Sequence, residues 1–159
     1  MNANWGYQWS PASPLFSNPC SDSYPGSRAF EAVETQLVAD YLKATPNNVR
    51  AFVDVHSYGQ LYAETLMEAG LGVARALKAI HGTVYQAGQA CDLIYRMAGD
   101  AIDWSYATAG IEWSYSAELR DTGTYGFLLP GSLIRPSAEE ITAGLVYLAR
   151  FILTLESPS

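Results

Sequence analysis

Residues 49–56 read VRAFVDVH. Three valines and a phenylalanine in eight positions have the composition of a β-strand, and the turn signal Pro46-Asn47-Asn48 stands just before them. The segment is short and rich in β-branched and aromatic residues, which predicts a buried strand closing at His56. Upstream, Phe30 to Lys43 predicts an amphipathic helix. Val33, Leu37, Val38, Tyr41 and Leu42 share one face, and Pro46 stops it. The first 26 residues, broken by Pro11, Pro14, Pro19 and Tyr24-Pro25-Gly26, read as irregular.

Downstream, a helix is predicted from Glu64 to Ile80, weakened by Gly70 and Gly72 and ended near Gly82. Thr83 to Tyr85 reads as a short strand, Ala98 to Ala107 as a helix, and Ile111 to Leu119 (IEWSYSAEL) as an alternating strand. The last helix opens with Ser137 and Glu140 in a capping-box spacing after Pro136, and carries an apolar stripe through Leu145, Leu148, Ile152 and Leu155. Alternating helices and strands predict an α/β layer structure, with helices packed on a mixed β-sheet. At 159 residues the expectation is a single domain spanning the chain.

Composition narrows the function. Nine Lys and Arg against sixteen Asp and Glu give a net charge of −7, and no basic cluster is present, so nucleic acid is excluded as a partner. No segment reaches the ~20 apolar residues of a membrane span. Residues 1–12, MNANWGYQWSPA, lack the basic and apolar regions of a signal peptide. Cys20 and Cys91 allow one disulfide without establishing it, and no Cys or His spacing of a zinc site occurs. There is no G-x-S-x-G elbow and neither H-E-x-x-H nor H-x-x-E. Gly70-Leu71-Gly72 begins a dinucleotide-type pattern, but Arg75 stands where its last glycine belongs.

Three residues carry potential chemistry. His56 closes a strand, where α/β sheets bind ligands, and is either a hydrogen-bonded structural histidine or a metal ligand. Glu118, in SAELRDTG, is an acid within an apolar strand. It is either paired with Arg120 on the same side of the strand or a general base. Tyr95 is either a packed aromatic or a substrate-facing phenol.

Six stretches in this order resemble the zinc metallocarboxypeptidases of the A/B type: NANW (2–5), NPCSDSYPG (18–26), FVDVHSYGQ (52–60), ALKAIHGT (76–83), IYRMAGDAIDWSY (94–106) and YSAELRDTGTYGFLLP (115–130). The resemblance covers nearly the whole chain and about the second half of that family's catalytic domain, implying a partial zinc-carboxypeptidase fold. It implies that His56 is the third zinc ligand and that Glu118 activates the metal-bound water and passes a proton to the leaving amine. It implies that Tyr95 and Asn2 close on the substrate carboxylate, that Tyr58 and Phe127 line the cleft, and that Ile102 and Ser116 line the pocket for the C-terminal side chain. An apolar Ile102 implies apolar or aromatic C-terminal residues as substrates, with peptide or protein C-termini as partners. The family setting implies secretion.

The chain also departs from the pattern. The family's other two zinc ligands belong to an H-x-x-E motif that this sequence does not contain, so one ligand of three is present. Ala3 stands where the family has a carboxylate-gripping arginine. The stretch between Tyr62 and Arg75 is shorter than usual, and the family's pattern implies free thiols at Cys20 and Cys91. Three readings follow: a carboxypeptidase in complete form, a catalytically inactive fragment acting as a binding module, or a chain completed by a separate N-terminal half. The half present here is expected to expose a sheet edge and a face that the family's other half covers.

Overall fold

The structure, a computed structural model, describes residues 3–11, 18–21, 24–44, 48–64, 67–93 and 98–157. In chain order its elements are α1 (Val33–Lys43), β1 (Ala51–Ser57), β2 (Leu61–Glu64), α2 (Met67–His81), β3 (Gln86–Gly88), α3 (Ala90–Leu93), α4 (Ala101–Ala107), β4 (Trp113–Leu119), a 3-10 turn (Gly131–Leu133) and α5 (Ile134–Glu156). Among the described residues the strands form one sheet in the order β1-β4-β2-β3. β2 runs parallel to β3 and antiparallel to β4, with Leu61 opposite Glu118 and Ala63 opposite Ser116, so the sheet is mixed as expected.

Several boundaries differ from the sequence expectation. The Val49–His56 segment forms a strand but not a buried one. β1 ends the strand order, and Val55 is 45% exposed. The buried strand is β4, whose Trp113, Ser114, Tyr115 and Ala117 are all covered. Leu61–Glu64 is a strand, so the following helix starts at Met67. The strand expected at 83–85 lies at 86–88.

The chain divides into two compact units, one built from Met1–Asp54 with Tyr95–Ser114 and the other from Val55–Ile94 with Tyr115–Ser159. The first is organised by aromatic rings. Trp5 contacts Trp104 at 5.1 Å, Phe30 at 6.2 Å and Phe52 at 6.4 Å, each in the tilted or edge-on geometry that ring quadrupoles favour. Beside Trp5, the buried Asn4 amide donates to the Pro25 and Arg28 carbonyls at 2.6 and 2.9 Å. Its Oδ1 accepts from Ala32 N–H at 3.0 Å. Asn4 thereby secures the start of α1, where Ala32 offers no capping side chain. α1 turns an unexpected face inward. Thr35 and Ala39 are buried, whereas Val33, Leu37, Val38 and Tyr41 are exposed; of the expected apolar face, Leu42 packs against the ring cluster. Ala39 packs with Trp5 and Trp104, and Thr35 Oγ1 donates to the Ala32 carbonyl at 2.7 Å.

The second unit packs α2 against α5. Ala69, Gly70, Gly72, Val73 and Leu77 are the buried face of α2; Ser137, Glu140, Gly144, Leu148 and Ile152 are that of α5. The expected α5 stripe is therefore rotated: Leu148 and Ile152 are inside, but Leu145 and Leu155 are exposed. A Cβ on Gly72 would run into the ring of Tyr147, so the glycine that weakens α2 locally is what lets the two helices approach. The expected capping box does not form. α5 begins at Ile134, Ser137 Oγ donates back to the Leu133 carbonyl at 2.9 Å, and Glu140 turns inward to other partners.

Candidate active site

His56 and Glu118 are each the penultimate residue of a strand, β1 and β4, and these strands are neighbours in the sheet. Their C-terminal ends are joined. The Leu119 carbonyl, next to Glu118, accepts from Gly59 N–H at 3.0 Å and from Gln60 N–H at 3.1 Å, in the turn that follows β1. Non-proline cis peptide bonds stand at Ser57–Tyr58 and Arg120–Asp121. The ends of adjacent strands are where α/β sheets leave a crevice for ligands.

Alternation on β4 sets which side chains are covered. Tyr115 and Ala117 are fully covered, whereas Ser116 and Glu118, sharing the opposite face, are half-buried. His56 is likewise half-buried between the exposed Val55 and Ser57. The turn packs beside Glu118: a Cβ on Gly59 would stand 3.2 Å from the Glu118 Cβ, so a side chain there would make Glu118 give by a few tenths of an ångström. Past the turn, Tyr58 meets Phe127 edge-on at 4.9 Å. Phe127 sits, 80% exposed, on a loop whose start is tied by Asp121, which accepts from Gly123 N–H at 3.1 Å and Tyr125 N–H at 3.0 Å.

Arg120 does not serve the acid two residues before it. Its guanidinium donates through Nε to Glu140 Oε2 at 2.9 Å and through Nη2 to Thr83 Oγ1 at 2.7 Å, with a second, very close contact to Glu140 Oε1. Glu140 is completely buried and also accepts from the Thr83 and Tyr85 hydroxyls at 2.6 and 3.3 Å. Burial pushes the Glu140 carboxyl up, and the Arg120 guanidinium with the Thr83 and Tyr85 hydroxyls more than offsets this, holding it below its ordinary value. Burial and the nearby Glu140 charge raise the Tyr85 phenol. Sequence reading missed this cluster. Its one local signal was an arginine at the end of a buried strand, where an unpartnered charge is too costly to persist.

Of the predicted site residues, His56, Tyr58, Ser116, Glu118 and Phe127 fall within the second unit, and Ile102 in the first. Ile102 is buried in the first turn of α4, where its N–H caps on Asp100 at 2.6 Å. Asn2 and Tyr95 lie outside the described residues. Cys20 is free and exposed. Among the described residues, no three His, Cys, Asp or Glu side chains gather as a metal-binding group, and no helix is long and apolar enough to cross a membrane. A hollow of about 410 Å³ in the first unit, floored by Phe30 and Trp104 and edged by Gln36, Asp40 and Lys43, contains none of the predicted residues.

Known proteins share this sequence and fold. The chain is 39% identical to the metallocarboxypeptidase A of Arthroderma otae, over 96% of its own length and 40% of the relative's. It is 41% identical to the carboxypeptidase A2 of Mus musculus, over 91% and 37%. The bovine thrombin-activatable fibrinolysis inhibitor, solved in complex with a tick carboxypeptidase inhibitor, superposes with a TM-score of 0.86 at 30% identity, covering 96% of this chain and 56% of that one. The chain thus spans about two fifths of the length of the first two relatives. The zinc carboxypeptidase family profile matches residues 1–144, and the chain belongs to the zinc carboxypeptidase family.

Proposed function

We propose that the chain carries the carboxylate side of a metallocarboxypeptidase site, and that in its working form it releases C-terminal residues from peptides. The observation behind this reading is the joining of the β1 and β4 ends, which puts His56 and Glu118 one residue back from the same turn. Glu118 takes a proton from the attacking water and returns one to the departing amine, a role that needs a held, half-open carboxylate. Tyr58 and Phe127 form an aromatic wall for the peptide, Ser116 and Ile102 select an apolar or aromatic terminal side chain, and Asn2 and Tyr95 engage the terminal carboxylate.

The family's zinc does not fit the ligands described in this chain. A catalytic zinc takes three protein ligands, and among the described residues no three His, Cys, Asp or Glu side chains gather as such a group. This favours a division of labour in which the remaining ligands come from polypeptide that this chain does not match in its relatives. The second reading, a non-catalytic binding module, draws on the same want of a three-ligand group among the described residues and on Ala3 in place of a carboxylate-gripping arginine.

The test is hydrolysis of N-blocked peptides ending in Phe or Lys by the chain co-expressed with the unmatched portion of a carboxypeptidase A relative. Release of Phe ahead of Lys is expected, with Glu118→Gln slowing it by about 10²–10⁴-fold, the usual worth of a general acid–base group. No hydrolysis from a well-folded complex would favour the binding module.

A further inference from the structure

Glu118 is followed by Leu119 and Arg120, and separate parts of the second unit hold each of them. Leu119 is held through its carbonyl by Gly59 and Gln60. Arg120 is held by Glu140 of α5 and by Thr83, which precedes β3. The two grips share one support: Gln60 donates its side-chain amide to the Val84 carbonyl at 3.0 Å, and its own carbonyl accepts from Gln86 N–H at 3.0 Å. Residues 83–86 thus brace both the turn beside Glu118 and the ion pair two residues beyond it.

An ion pair of this kind is a poor way to gain stability alone, because desolvating two charges offsets most of their attraction and apolar residues of like size often do better. What a bidentate guanidinium–carboxylate pair provides is fixed geometry. Here the fork acts on backbone two residues from the carboxylate, where a small displacement changes where that carboxylate points. We propose that Arg120 and Glu140 are positioning residues for Glu118. The buried pair pins the end of β4 so that the Glu118 carboxylate stays over the turn that follows His56. This rests on the reading of Glu118 as the functional acid.

The experiment is carboxylate NMR on the full chain with ¹³C-labelled glutamate, the Glu118 peak being assigned by its loss in Glu118→Gln. Glu140→Gln, Arg120→Met and Arg120→Lys are compared with Leu148→Ala, a core variant on α5 that weakens the fold without touching the pair. Loss of the wild-type Glu118 peak position is expected in Glu140→Gln and Arg120→Met, partial return in Arg120→Lys, and no change in Leu148→Ala. Should Glu140→Gln fail to fold, Thr83→Val removes one partner shared by both members and is expected to shift the peak by a smaller amount in the same direction. An unmoved Glu118 peak in folded Glu140→Gln or Thr83→Val, or an equal shift in Leu148→Ala, overturns the proposal. The readout does not depend on turnover. Undiminished hydrolysis by Glu118→Gln would therefore defeat the functional reading while leaving the positioning result to stand or fall separately.

Discussion

Glu140 gathers a guanidinium and two hydroxyls on one carboxylate. It is fully buried, and it converts the otherwise costly Arg120 charge into a paired one. Replacing it by glutamine leaves a guanidinium that is only 15% exposed without its counter-charge, which should cost about 3 kcal/mol by urea denaturation at neutral pH. The pH dependence follows from the direction of the shift. The carboxyl is held below its ordinary 4.5, so the unfolded chain takes up the proton first. The pair's contribution is complete above that value and is lost as pH falls through the lower folded one. Glu140→Gln should flatten this part of the acid limb; an unchanged acid limb would show that the pair is not what titrates. Little of this was legible beforehand. The S-x-x-E spacing of Ser137 and Glu140 is a purely local signal, and it lost to partners 20, 55 and 57 positions away that only the fold assembles.

Among the elements, α1 and α2 show what periodicity can and cannot say. In α1 the sequence identifies apolar residues at helical spacing, but spacing alone does not say which face another element covers. α2 buries Val73 and Leu77 against α5, whereas α1 buries Thr35 and Ala39 and leaves Leu37 65% exposed. The energetic contrast should be large. Leu77→Ala removes a wholly buried side chain and should cost about 2–5 kcal/mol. Leu37→Ser should stay within about 0.5 kcal/mol, as exposed substitutions do. Paired chemical denaturation curves check both, and comparable costs would mean that the Leu37 face is covered in solution. β1 teaches the same lesson: its composition announced a strand, while its place at the end of the strand order depends on which strands pair with it.

For the whole molecule, the alternation of helices and strands was enough to read an α/β chain with helices packed on a sheet, and short motifs around His56 and Glu118 were enough to read the family. The meeting of the β1 and β4 ends was not legible, because it is made by strand pairing, with Gly59 and Gln60 N–H also reaching the Leu119 carbonyl across 59–60 positions of chain. In the proposed function, that junction brings His56 and Glu118 to one crevice. A paramagnetic probe reads this directly, since Cu²⁺ prefers imidazole to carboxylate and broadens only nearby resonances. In a His81→Gln background, leaving His56 as the one histidine, substoichiometric Cu²⁺ should broaden the Glu118 carboxylate peak, and adding His56→Gln should restore it. A Glu118 peak that stays sharp while His56 binds the ion, or that broadens equally without His56, would contradict the account.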